Sequence, residues 1–175
     1  MISGNQIFLR AVQAQDLQNW LKWFNDPETT RYLAVVYPYG LAEAEAYWQR
    51  IQKNAGQEVL YSIVSQEKEQ HIGSISLRRI DWRSRNAELA IVLGANEFCG
   101  KGYGRDAVYS LCRFAFEEMG LHRIYLYVCS DHESGIETYR RVGFQQEGIA
   151  RQQLLRKGRY HDLILMGLLA DELTD

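Results

Sequence analysis

A mixed α/β (α+β) fold is predicted: a central, mostly antiparallel sheet holding one parallel strand pair and flanked by helices. Three observations predict it. Asn86 to Leu93 reads as a strand and leads into a glycine cluster, Cys99-Gly-Lys-Gly-Tyr-Gly104. From Tyr103 the apolar residues Ala107, Val108, Leu111, Cys112, Ala115, Phe116 and Met119 step alternately by one and three, a single stripe at the helical period. Gly120 then stops that helix, Ile124 to Val128 reads as a strand, and Gly135 to Val142 as a short helix ending at Gly143-Phe144. Strand, loop, helix, strand is a crossover unit, which is right-handed and joins two parallel strands.

The remaining elements follow in order. Gln6 to Val12 reads as a first strand. Asp16 to Phe24 reads as a helix with Leu17, Trp20, Leu21 and Phe24 on one face, broken at Asn25-Asp26-Pro27. Tyr37-Pro38-Tyr39-Gly40 is a second break, and Leu41 to Asn54 a second helix. Val59 to Val64, Gly73 to Ile80 and Asn86 to Leu93 form consecutive strands, with Asp81 to Arg85 too polar for a strand interior and suited to a hairpin turn. After Phe144 two strands are expected, around Gln145 to Leu155 and Tyr160 to Leu169, turning at Lys157-Gly158.

The chain's 175 residues suit one domain, 1–175, able to bury a proper core. Its hydrophobic fraction of 46% and charged fraction of 24% are ordinary globular usage. A formal net charge of −2 gives no case for nucleic acid or an anionic membrane as partner. No apolar run approaches membrane-spanning length, and Met-Ile-Ser-Gly-Asn-Gln is not the start of a signal peptide. Cys99, Cys112 and Cys129 are odd in number and lack C-x-x-C spacing, which argues against a disulfide framework or a zinc site and for a reducing cytoplasm. His71, His122 and His161 share no ligand spacing, so no metal is expected. Oligomeric state stays open, a homo-oligomer included.

The glycine cluster carries the chemistry. Glycine lets the backbone turn tightly and approach a ligand closely. Free N–H groups of the following helix's first turn, with its dipole, favour an anion such as phosphate. The spacing Gly100-x-Gly102-x-Gly104 matches neither the nucleotide P-loop nor the dinucleotide fingerprint. It reads as a phosphate-bearing cofactor site or as a tight strand-to-helix turn.

Four stretches together resemble a known family: Ala87-Glu88-Leu89-Ala90-Ile91, Cys99 to Gly104, Leu121-His122-Arg123, and Tyr139-Arg-Arg-Val-Gly-Phe144. They look like the GNAT superfamily of acetyl-CoA-dependent N-acetyltransferases. The likeness is to the branch with ribosomal-protein N-terminal and spermidine acetyltransferases. The opening Ile7-Phe8-Leu9-Arg10-Ala11 and the closing Gly158-Arg-Tyr-His-Asp162 with Met166 fit that branch too. The resemblance implies that the parallel pair splays like a V with acetyl-CoA in the opening, and that the chain is a cytoplasmic transferase. Two positions depart from the family's usual pattern. Cys99 opens the cofactor loop where Gln or Arg is usual, and His132 stands where an Asn often bridges the pantetheine arm.

Acetyl transfer to an amine needs the amine neutral, the carbonyl oxygen polarised and the leaving thiolate protonated. Glu88, at the start of the strand leading into the loop, is the candidate base, acting through a water; its other reading is a solvent-facing partner of an arginine such as Arg78. Tyr139 matches the family's tyrosine whose hydroxyl faces the cofactor sulfur and is the candidate acid; its other reading is a core tyrosine beside Ile136 and Val142. The oxyanion donor is expected to be a backbone N–H freed by a bulge within Leu89 to Leu93, with Ile91, Val92 and Leu93 also lining the cofactor arm. Backbone N–H groups around Gly100, Lys101, Gly102, Tyr103, Gly104 and Arg105 are expected on the pyrophosphate, and His132 on the arm.

The acceptor is expected to be a small polyamine-like amine or a protein N-terminus, transferred to directly in a ternary complex. Glu28, Glu43 and Glu45 are candidate carboxylates for a polyamine, and the aromatic loop Arg31 to Gly40 a candidate wall of the acceptor pocket. The reading from another class is a non-catalytic acyl-CoA-binding or sensing module. Cys129-Ser130-Asp131-His132 invites a thiol-hydrolase reading, but Cys129 ends a strand and His132 opens a helix, so no aligned Cys–His pair is implied.

Overall fold

A computed structural model describes residues 1–34, 38–54, 56–94 and 96–174. The strands are β1 (Ile2–Ser3), β2 (Ile7–Ala11), β3 (Val59–Ser65), β4 (His71–Asp81), β5 (Asn86–Leu93), β6 (Arg123–Cys129), β7 (Gln145–Arg156) and β8 (Arg159–Leu169). The helices are α1 (Asp16–Phe24), α2 (Leu41–Lys53), α3 (Tyr103–Glu117) and α4 (Glu133–Val142). The strands form one eight-stranded sheet in the order β1-β2-β3-β4-β5-β6-β8-β7. Every described pairing is antiparallel except β5 with β6, which α3 connects as the expected crossover.

Strand alternation decides which helices cover which face. Trp20 of α1 donates its indole N–H to Ser74 Oγ of β4 at 2.8 Å, so α1 and α2 lie on the Ser74 side. They enclose a small core of Leu17, Trp20, Trp23 and Ala44. The neighbouring Ile75 and Leu77 join the main core with Ala107, Val108, Leu111 and Cys112 of α3 and with Ile136 and Val142 of α4. Two such layers against one sheet are what the helical stripes require.

Differences from the sequence reading are local. The two-residue β1 is too short to show alternation. Asp81 ends β4 rather than opening the turn. Its carboxylate accepts the N–H groups of Arg83 and Ser84, both at 2.9 Å, and so shapes the hairpin from the strand's last position. α4 starts two residues before Gly135, at Glu133. Val35, Val36 and Tyr37, part of the anticipated acceptor loop, lie outside the described residues.

The expected bulge is also elsewhere. Leu89 to Leu93 pair with β4 in unbroken register. The irregularity sits on β4, where the register jumps between Arg78 and Asp81 with Arg79 at φ 50°. One extra residue there turns a side chain that simple alternation would send to the opposite face.

Candidate active site

The parallel pair holds at only three positions: Asn86–Arg123, Ala87–Ile124 and Glu88–Tyr125. Beyond them β6 continues along β8 and β5 along β4, so the two strands part. The parting frees backbone groups. Gly94 donates its N–H to Ile72 O of β4 at 2.8 Å. With the strand's period of two, Val92 and Ala90 face β4 in the same way. The N–H groups of Leu89, Ile91 and Leu93 therefore point the other way: the Glu88–Tyr125 bridge takes up that of Leu89, and those of Ile91 and Leu93 face the side where β6 has left. An unpaired amide in the opening arises from the splay, with no bulge in β5.

The glycine loop closes one end of this opening. Gly100 (φ 73°) and Gly102 (φ 88°) both adopt the left-handed conformation, and Gly102 is the residue preceding α3. Its carbonyl accepts the Asp106 N–H at 2.9 Å, so the N–H groups of Tyr103, Gly104 and Arg105 are left without helical partners. Lys101 is exposed and Arg105 half-buried. Neither forms an ion pair with a described residue. The Tyr103 side chain is buried against Phe98, so this residue offers only backbone. Asp106, which looks like one more helix-start acid in the sequence, faces away from this role. Its buried carboxylate accepts the N–H groups of Asn5, Gln6 and Ile7 at 3.0, 2.6 and 3.1 Å, anchoring the β1–β2 turn to α3.

Glu88 is the last paired residue of the fork. Its side chain is only 6% exposed, so it is not solvent-facing. Oε1 accepts from Arg78 Nη2, and Oε2 accepts from Arg79 Nη1 at 2.8 Å. Two guanidinium groups thus balance one carboxylate, and Arg79 reaches it only because of the β4 bulge. Each oxygen retains further lone-pair capacity.

Tyr139 lies on α4, edge-on to Phe144 with ring centroids 5.8 Å apart, and packs on the main core. Burial pushes its phenol up to about 12. Its hydroxyl makes no hydrogen bond to a described residue. His132 immediately precedes α4 and stacks on Tyr32, centroids 4.2 Å apart and planes 13° apart. Burial lowers its pKa, which keeps the imidazole neutral. The stack brings the described part of the Arg31–Gly40 loop to the mouth beside α4, and Arg156 adds a bond to Thr30 O at 3.0 Å. Of the three glutamates considered for a cationic acceptor, Glu43 is engaged in capping α2, accepting the Gly40 N–H at 3.1 Å.

One grouping unites residues that sequence spacing does not: Cys129, Asp131 and His161 converge, their ligand atoms all within 4.8 Å of one another. None of the three cysteines is in a disulfide.

Forked parallel strands, a left-handed glycine loop at their mouth and unpaired amides between them suit an acyltransferase with a phosphate-bearing acyl carrier. The family model described as "Acetyltransferase (GNAT) domain" matches residues 6–145, and the chain belongs to that family. It is an N-acetyltransferase that uses acetyl-CoA. It is 28% identical to a spermidine N(1)-acetyltransferase of Vibrio cholerae, over 95% of this chain and 94% of that protein. It is 38% identical to the putative ribosomal N-acetyltransferase YdaF of Bacillus subtilis, over 57% of this chain and 54% of that protein. Among solved structures, spermidine N-acetyltransferase from Vibrio cholerae in complex with CoA and spermine superposes with a TM-score of 0.88 at 26% identity, covering 95% and 97% of the two chains. No described helix is long and apolar enough to cross a membrane.

Proposed function

We propose that residues 1–175 form a single cytoplasmic catalytic domain that transfers acetyl directly to a primary amine within a ternary complex. The acceptor is a small polyamine-like amine or a protein N-terminus. The observation that carries this reading is the three-pair fork of β5 and β6 with the glycine loop at its end.

The residues present fit the cofactor: two left-handed glycines with nothing opposing a ligand at Gly100, and three helix-start N–H groups without helical partners. The loop from Gly100 to Arg105 would hold the pyrophosphate, with Lys101 and Arg105 adding positive charge. Ile91, Val92 and Leu93 would line the arm, and the His132 ring would bond one of its amides. Acetyl-CoA, when bound, supplies an activated acetyl group and a thiolate leaving group.

The chain's own residues supply the rest. The N–H of Ile91 or Leu93 donates to the carbonyl oxygen as its charge grows. Glu88 accepts the amine's proton through a water, drawing on the lone pairs that Arg78 and Arg79 do not occupy. The Tyr139 hydroxyl donates its proton to the departing sulfur. The neutral His132 and the Tyr32 stack exclude water from the mouth.

The test is a screen of polyamines, simple primary amines and N-terminal peptides with acetyl-CoA, read as free thiol release with acetylated product identified by mass. Turnover of one acceptor class over the other is expected. Acetyl-CoA binding without turnover of any amine would instead support a sensing module.

A further inference from the structure

The turn between β6 and α4 holds a constellation that acetyl transfer does not use. Cys129 ends β6, and β8 runs beside it with Leu163 opposite Cys129. Two residues along β8, His161 lies on the same face as Cys129. The turn folds Asp131 over both. His161 Nδ1 and Asp131 Oδ2 are 2.6 Å apart. The Cys129 sulfur completes a triangle whose members lie within 4.8 Å of each other.

We propose that Cys129, Asp131 and His161 form a binding site for one zinc-class divalent ion at the turn that launches α4. The donors are one sulfur, one imidazole nitrogen and one carboxylate oxygen. Thiolate and imidazole select zinc over magnesium or calcium, which want oxygen alone. Tetrahedral zinc bonds of about 2.0–2.3 Å place ligand atoms about 3.3–3.8 Å apart. The Asp131–His161 contact therefore opens and the sulfur closes, each by about 1 Å.

The site can make that change cheaply. The backbone of the turn is already fixed: Ser130 N–H donates to Asp162 O at 3.0 Å, and His132 N–H to Cys129 O at 2.9 Å. The Asp131 backbone N–H faces the Cys129 sulfur. The two side chains that move are the accessible ones, with Asp131 58% and His161 26% exposed. Cys129 is buried and stays in place. As the metal–sulfur bond forms, the thiol proton leaves to solvent. Thiolate and carboxylate then cancel the ion's double charge, the imidazole remains neutral, and a water takes the fourth position on the exposed side. His132, the next residue, precedes the helix that carries Tyr139, so a bound ion fastens α4 to the sheet.

Cobalt(II) titration of the metal-free full chain tests this. A single equivalent should give a sulfur-to-cobalt charge-transfer band in the near ultraviolet and the intense visible bands of tetrahedral coordination, both erased by zinc. Cys129→Ser should remove the charge-transfer band, and His161→Ala should weaken binding by at least about tenfold. Cys99→Ser, at an exposed cysteine elsewhere, should change neither. Zinc should raise the Tm of the wild type and not of Cys129→Ser. No sulfur band in the folded wild type overturns the site, as does a band that survives Cys129→Ser. Should Cys129→Ser fail to fold, unchanged cobalt affinity in both His161→Ala and Asp131→Asn overturns it equally.

Discussion

Burial raises the Tyr139 hydroxyl to about 12, so the phenol keeps its proton through the neutral range and ionises only as pH nears that value. That is the state an acid for a thiolate needs. Tyr139→Phe keeps the ring, its edge contact with Phe144 and its place on the core. We expect kcat to fall by about 10²-fold while Tm and acetyl-CoA affinity stay unchanged, the pattern of an interaction made in the transition state. A variant that melts much lower with normal kcat would make Tyr139 a packing residue. Glu88 is held differently, between Arg78 and Arg79. Glu88→Gln should lower kcat/KM by about 10²-fold. An unchanged kcat/KM would leave the carboxylate as the arginines' partner alone. The sequence placed Glu88 on its strand and named Arg78, because the two strands were legible as neighbours. Arg79 was hidden because strict alternation sends consecutive residues to opposite faces; only its left-handed φ of 50° brings it round.

At the scale of elements, β5, the glycine loop and α3 act as one device. The helix was readable from its apolar stripe and the loop from its glycines, because both signals are local. The splay was not readable from spacing or periodicity. It depends on where β6 leaves β5, and β6 is held to β8, about 40 residues further on. Asp106 was hidden for the same reason, since the N–H groups it accepts come from the far end of the chain. Gly102 tests the device. Gly102→Asp adds negative charge where the helix start should meet phosphate. Gly102→Asn adds similar bulk without charge, in a residue that tolerates positive φ. Calorimetry should show acetyl-CoA bound at least about tenfold more weakly by Gly102→Asp, roughly 1.4 kcal/mol, with Gly102→Asn much nearer the wild type. Equal affinities for wild type and Gly102→Asp would remove the anion cradle from the site.

The whole molecule is two helical layers on one sheet, and the layer carrying α1 and α2 is tied down by a buried polar network rather than by apolar area alone. The apolar faces of α1 and α3 made the layers legible. The network was not, because Arg10, Asp16, Ser62 and His71 come from four separate elements and none looks unusual in its own segment. The cluster of Cys129, Asp131 and His161 escaped notice likewise, because β-sheet pairing brings positions 129 and 161 together. Asp16, the first residue of α1, accepts Arg10 Nη1 and Nη2 at 2.6 and 2.8 Å, the Gln13 N–H at 2.9 Å and the Ser62 hydroxyl at 2.7 Å. Burial works to raise this carboxyl, but those bonds win and bring it from 3.8 down to about 2. A depressed carboxyl contributes stability above its unfolded pKa and loses it as pH falls toward the folded one, here about 2 kcal/mol between roughly pH 4 and 2. His71, lowered by burial despite Asp16 beside it, acts in the same direction. Its folded state prefers the neutral ring, so stability drains as pH drops below the ordinary histidine range. Acid should therefore loosen the α1–α2 layer in two stages, His71 first. Asp16→Asn should cost about 3 kcal/mol at pH 7, as expected for removing one partner of a buried ion pair. Measured by urea unfolding, the gap between wild type and variant should narrow by about 1 kcal/mol at pH 3, where the wild-type carboxyl has begun to lose its advantage. A gap of the same size at both pH values would show that Asp16 holds the layer by shape and hydrogen bonding, with its charge contributing nothing.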